Sequence, residues 1–120
     1  MSTTFERLEA ATLSLARSAH IKERLTDAFR NHLAYIEEDE LPSELREEFR
    51  TLHHEVTREP PLLRGEDSLR ATVRKLSRDE AEAIASRVVH LFVDLSRTQA
   101  MSVRKASKSA AVLPLYLAEA

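Results

Sequence analysis

The chain has 120 residues, of which 42% are hydrophobic and 32% charged, with a net charge of -2, one glycine, four prolines and no cysteine. That is enough chain and apolar content for one domain with its own core. The missing thiol excludes disulfides, thiolate metal ligands and a cysteine nucleophile, and a single glycine excludes a glycine-rich phosphate loop.

The small net charge excludes nucleic-acid binding by bulk charge alone, yet it averages three blocks of different sign. Glu37 to Glu48 holds seven acidic residues against Arg46, Arg58 to Arg78 holds six basic against three acidic, and Arg97 to Lys108 holds four basic and none acidic. The segment from Met1 to Arg7 lacks a basic region leading into an apolar run, and nowhere do about 18 consecutive apolar residues occur. Neither a signal peptide nor a membrane span is expected, and the predicted location is cytoplasmic.

In chain order, Thr3 and Glu6 have capping-box spacing, and Phe5, Leu8, Thr12, Leu15 and Ala19 repeat at three and four, which predicts a helix over 2–17. A second amphipathic helix follows from Ile21, Leu25, Ala28, Phe29, His32, Leu33 and Ile36 and runs out in the acidic stretch 37–40. Ser18 offers a restart between the two, but no Gly or Pro marks a break at Ser18 to His20. Pro42 suits the first position of a third helix, with Leu45, Phe49, Leu52 and Val56 inward and Pro60-Pro61 as the stop. Residues 58–66 form the main loop. Asp67 or Ser68 caps a short fourth helix with Leu69, Val73 and Leu76 inward, and Ser77 with Glu80 forms a second capping box.

The fifth helix carries the strongest pattern. At 100° per residue, Ala81, Ile84, Ala85, Val88, Leu91, Phe92 and Leu95 fall on one broad arc, opposite Asp79, Glu82, Ser86, His90, Asp94 and Arg97. So wide an arc touches more than one neighbour and belongs at the centre of a bundle. After Ala100 the pattern ends. Residues 101–109 read as a basic, serine-rich linker, and Leu113, Leu115 and Leu117 alternate around Pro114 and Tyr116 with a period of two, which predicts an extended apolar arm. The expected architecture is therefore all-α: a bundle of about five helices over 1–100 with a long central C-terminal helix, then a linker and arm over 101–120.

Candidate chemistry is sparse. His53 and His54 are adjacent and point about 100° apart on a helix. The run His54-Glu55-Val56-Thr57-Arg58 lacks the second histidine of a zinc-protease helix, and no Glu-x-x-His occurs. No metal or cofactor is expected. His32 reads as a hydrogen-bonded core residue, and His90 with Asp94 as a solvated pair on the polar face. Ser102-Val103-Arg104-Lys105 matches Ser-x-x-Lys but lacks the companion motifs of penicillin-binding enzymes. A helix-turn-helix over 69–92 fails because Val88-Val89-His90 stands where a tight turn is needed. No enzyme activity is expected.

The segments Leu15-Ala16-Arg17-Ser18, Ile21-Lys22-Glu23-Arg24-Leu25, Glu40-Leu41-Pro42 and Arg70-Ala71-Thr72-Val73-Arg74-Lys75-Leu76-Ser77 resemble stretches of small, uncharacterised all-helical bacterial proteins. The resemblance implies a bacterial cytosolic origin and no activity. What remains is a surface protein. Arg70, Arg74, Lys75 and Arg78 offer a basic helix face, either for a partner or for the acidic 37–48 region of the same molecule. Leu113, Leu115, Tyr116 and Leu117 offer an apolar arm, and Leu13 lies off the stripe of its helix. The sequence reading is a small binding, adaptor or regulatory protein acting through protein–protein contacts, with self-association as a homodimer among them. The alternative is nucleic-acid binding by the same arginines and the Arg104, Lys105, Lys108 segment.

Overall fold

Three of the five helices, those opening at Thr4, Ser68 and Arg78, begin where a side chain accepts a free backbone N–H group. The computed structural model describes the backbone of residues 3–119 and the side chains of residues 3–104. Within them the elements are α1 (Thr4–Leu15), α2 (Ile21–Asn31), α3 (Ser43–Val56), α4 (Ser68–Lys75) and α5 (Arg78–Glu119), with two short 3-10 turns, Leu33–Tyr35 and Glu38–Glu40, between α2 and α3. Thr3 Oγ1 accepts from Glu6 N at 3.1 Å, and Asp67 Oδ1 accepts from Arg70 N at 2.8 Å. At the head of α5, Glu80 N donates to Ser77 Oγ at 3.0 Å while Ser77 N donates to the Glu80 carboxylate at 2.8 Å. That reciprocal box satisfies two donors that a helix start otherwise leaves unpaired.

Three details refine or differ from the sequence reading. The first is the break that Ser18 offered, which is present and spans Ala16 to His20, and Arg24 seals it: its guanidinium donates to Leu15 O at 2.7 Å and Ala19 O at 2.9 Å. The second is the end of α2 at Asn31, so Leu33 and Ile36 reach the core from a 3-10 turn and its cap rather than from a helix. Pro42 correspondingly stands just outside α3, with extended ψ of 145°, and Arg46 ties the approach by donating to Leu41 O and Asp39 O.

The third concerns residues 101–119. Their backbone is helical and continues α5 instead of forming a linker and an extended arm. Nothing between Ser77 and Pro114 interrupts the helix: the stretch has no glycine or proline, and once nucleated a helix extends at little cost per residue. Three leucines at a period of two are too short a signal to outweigh that. The side chains of Leu113, Leu115, Tyr116 and Leu117 lie outside the described residues.

The loop from Thr57 to Asp67 turns on Gly65, whose φ of +78° is left-handed and suits a residue without Cβ. Thr72, fully buried on α4, holds the start of that loop by accepting from Glu59 N at 2.9 Å and donating to Ser68 O at 2.8 Å.

As expected from its arc, α5 is the centre of the bundle and packs on α1, α2 and α3, while α4 closes the side between α2 and α3. Ala81, Ile84, Ala85, Val88, Leu91 and Leu95 are all buried, against Leu8, Leu25, Leu52 and Val56 from the surrounding helices. Phe5 and Phe92 close one end with ring centroids 5.4 Å apart. Leu95 is the last buried residue of α5 among those described. Residues 96–119 are a further ~36 Å of helix at 1.5 Å per residue, which accounts for a molecule 72 Å long and only 29 by 26 Å across.

Val88 is completely enclosed, so Val88→Asp places a charge without a partner in the core, at a cost of roughly 3–5 kcal/mol. Circular dichroism melting should show loss of the cooperative transition for Val88→Asp and an unchanged midpoint for Leu13→Asp, since Leu13 is exposed. A normal melt for Val88→Asp would contradict this packing.

Candidate functional site

The four cations expected to form one basic face do not act together. All are exposed on or just after α4, but Arg74 donates to the Glu66 carboxylate at 2.8 Å, Lys75 sits 3.3 Å from Glu59, and Arg78 pairs with Glu82 one turn along α5. Only Arg70 makes no ion pair among the described residues. The acids that neutralise this face come from the preceding loop and from α5, not from the 37–48 block. In that block Glu38 pairs with Arg50 and Glu48 with Arg87, and Arg87 also holds Glu55, tying α3 to α5.

Arg70 and Arg74, one turn apart, do share a cleft between α2 and α4 of about 590 Å³, with Lys22 and Thr26 from α2 and the apolar Leu63 and Val73 also lining it. Its charges cancel: Lys22, Arg70 and Arg74 face Glu23, Asp27 and Glu66. Glu66 is the fixed point of this region. Its side chain is 4% exposed, and besides Arg74 it accepts from the backbone N–H groups of Leu62 and Leu63. The Arg74 hydrogen bond, supported by those two donors, holds its pKa down to about 2 from 4.5.

A second surface lies where α5 leaves the bundle. Phe5, Ser96, Gln99, Ala100, Val103 and Arg104 border an open groove of about 570 Å³. Met101 and Val103 are 69% and 66% exposed, and Arg97 and Arg104 make no ion pair among the described residues. The sequence pattern along α5 did not show this groove, because its second wall, Phe5, comes from the start of the chain.

The histidines occupy separate places. His32 is half-buried at the C-cap of α2, and burial, then Arg17 and Arg7, push its pKa below the usual value against a smaller opposing effect of Asp27. Arg7 lies over the exposed Tyr35 ring, 5.3 Å from its centroid, a cation–π contact that sequence spacing does not show. His53 packs edge-on against Phe29 and Phe49. His90 and Asp94 are both exposed and make no ion pair with each other among the described residues. Among those residues no three His, Asp or Glu side chains are grouped to hold a metal ion, and no helix is long and apolar enough to cross a membrane.

Comparison with known proteins assigns no relative. No family model matches the chain, and no significant similarity is found to a curated protein or to a solved structure.

Because folding lowers the Glu66 pKa, its carboxylate contributes stability that is fully present above pH 4.5 and is lost as the pH falls toward 2. Urea midpoints at about pH 6 and about pH 3 should therefore drop less on acidification in Glu66→Gln than in the parent, with the variant already weaker at the higher pH. Equal acid sensitivity in the two proteins would remove Glu66 from this role.

Proposed function

We propose that the protein is a small binding or adaptor protein that acts through protein–protein contacts made by its outer surface, and that it is not an enzyme. One observation carries this reading. Helix α5 continues past Leu95, its last buried residue among those described, and presents Met101 and Val103 to solvent beside an open groove. Apolar side chains on a helix that has left its own core add nothing to that core, and such unpartnered apolar surface is where protein contacts form. The Arg70 edge of the α2–α4 cleft is the second contact region in this reading. A bacterial, cytoplasmic setting accords with the resemblance and the absence of cysteine.

Nucleic-acid binding is the less favoured reading. Phosphate contact requires cations free to displace the counterions condensed on the nucleic acid, whereas Arg74, Lys75 and Arg78 are already paired with Glu66, Glu59 and Glu82. Arg70, Arg97 and Arg104 remain as its support.

The two readings separate by photocrosslinking in the native host, with a benzophenone amino acid placed at Val103 or, as control, at exposed Ser86 within the bundle. The expected outcome is protein adducts from position 103 and none from position 86. Nucleic-acid adducts from position 103 would establish the alternative, and no adducts from either position would overturn the proposal.

A further inference from the structure

We infer that the groove at the exit of α5 is occupied by a second copy of this chain, in a two-fold arrangement in which each α5 overhang crosses the other antiparallel near Ala100. The inference deepens the proposed function, on whose reading of the overhang it rests, by naming the partner.

Three contacts place opposite charges at the same end of the bundle. Thr4 Oγ1 donates to the Glu40 carboxylate at 3.1 Å, which brings the Glu38–Glu40 turn to the start of α1. Phe5, in the same first turn of α1, stacks on Phe92 of α5. Phe5 also borders the groove with Ala100 and Val103. The acidic block therefore sits where α5 emerges, and Glu37, Asp39, Glu44 and Glu47 there are exposed and make no ion pair among the described residues. The emerging helix has the opposite sign, four basic and no acidic residues over 97–108.

Within one molecule these groups are not joined. Neither Arg97 nor Arg104 forms an ion pair with Glu37, Asp39, Glu44 or Glu47 among the described residues. A second copy running antiparallel supplies the missing partners. It brings its own acidic end alongside the basic overhang of the first, and the two-fold repeats that match on the other side. The same approach covers Met101 and Val103, and so gives the apolar centre and charged rim of a specific interface. Length permits it, since ~36 Å of overhang is enough to pass the two-fold and reach the partner's bundle. Like-charged surfaces on a heterologous partner of acidic character would satisfy the overhang alone. Only a surface carrying both signs in reverse order satisfies the overhang and the acidic block together, and this chain is such a surface.

Charge exchange tests this directly in the full chain. One variant carries Arg97→Glu and Arg104→Glu, and the other carries Asp39→Lys and Glu47→Lys. Sedimentation velocity of the parent should give twice the 13.6 kDa chain mass at low salt, with association weakening as salt rises. Each variant alone places like charges across both halves of the interface, so its dimer dissociation constant should rise at least about tenfold. An equimolar mixture of the two places opposite charges across both halves and should recover the dimer.

All four positions are exposed, and unchanged melting of each variant measured as a monomer shows that the bundle remains folded. A parent that is monomeric at every salt concentration, or a dimer indifferent to both variants, overturns the inference. Crosslinking of Val103 to other proteins would still stand in that case, so failure here is distinct from failure of the proposed function. Variants that separate but do not recombine also overturn it.

Discussion

The structure depends on the width of one apolar arc. Because α5 is hydrophobic over Ala81, Ile84, Ala85, Val88, Leu91 and Leu95, it buries against three helices rather than one, and no other element can stand at the centre. The small residues on the arc, Ala81 and Ala85, lie among Ile84, Val88 and Leu91, and the alternation of size admits neighbouring side chains. Helices α1 and α2 then cover one side as an antiparallel pair, and α3 covers another. The eight-residue α4 is too short to be stable in isolation. It is held by Val73 and Leu76 in the core and by Thr72 gripping the loop before it.

Polar groups do a different task. They fix where helices stop. Arg24 closes the end of α1, Arg46 braces the approach to α3, and Glu66 gathers two loop N–H groups together with Arg74. No buried side-chain nitrogen or oxygen among the described residues is left without a partner, as a well-determined core requires. The surface left over is consequently informative. Most cations near α4 are consumed by local carboxylates, whereas the acidic end of the bundle and the basic start of the overhang are not. Function is therefore sought where α5 departs from its own core.

How much of this was legible in the sequence follows from the range of each interaction. The register of α5 was readable because burial imposes a periodicity that the residues themselves carry, and the boxes at Thr3 and Ser77 were readable because both partners lie within one turn. The exposure of Leu13 followed from the same geometry. The break before α2 was half readable: Ser18 offered a restart, but the contact that seals the break did not show. It is Arg24 reaching nine residues back to Leu15, and one arginine among many gives no sign of that reach. Leu33 and Ile36 keep helical spacing while standing on a 3-10 turn and its cap, since both arrangements turn inward every three or four residues. The basic face of α4 resolved into separate ion pairs because the loop fold, which sequence spacing does not specify, chose Glu59 and Glu66 as partners. The groove at Phe5 and Val103 joins residues almost a full chain apart, so no local pattern announces it.

Helix α5 is one helix with two environments, a rod enclosed by the bundle up to Leu95 and, over the described residues beyond it, a largely exposed surface. Residue-resolved amide hydrogen exchange along α5, at a concentration low enough to disfavour association, tests it most directly. Amides from Ile84 to Leu95 are expected to exchange only with global unfolding, and protection to fall steeply over residues 99–104. Uniform protection across Leu95, or weak protection within Ile84 to Leu95, would contradict it.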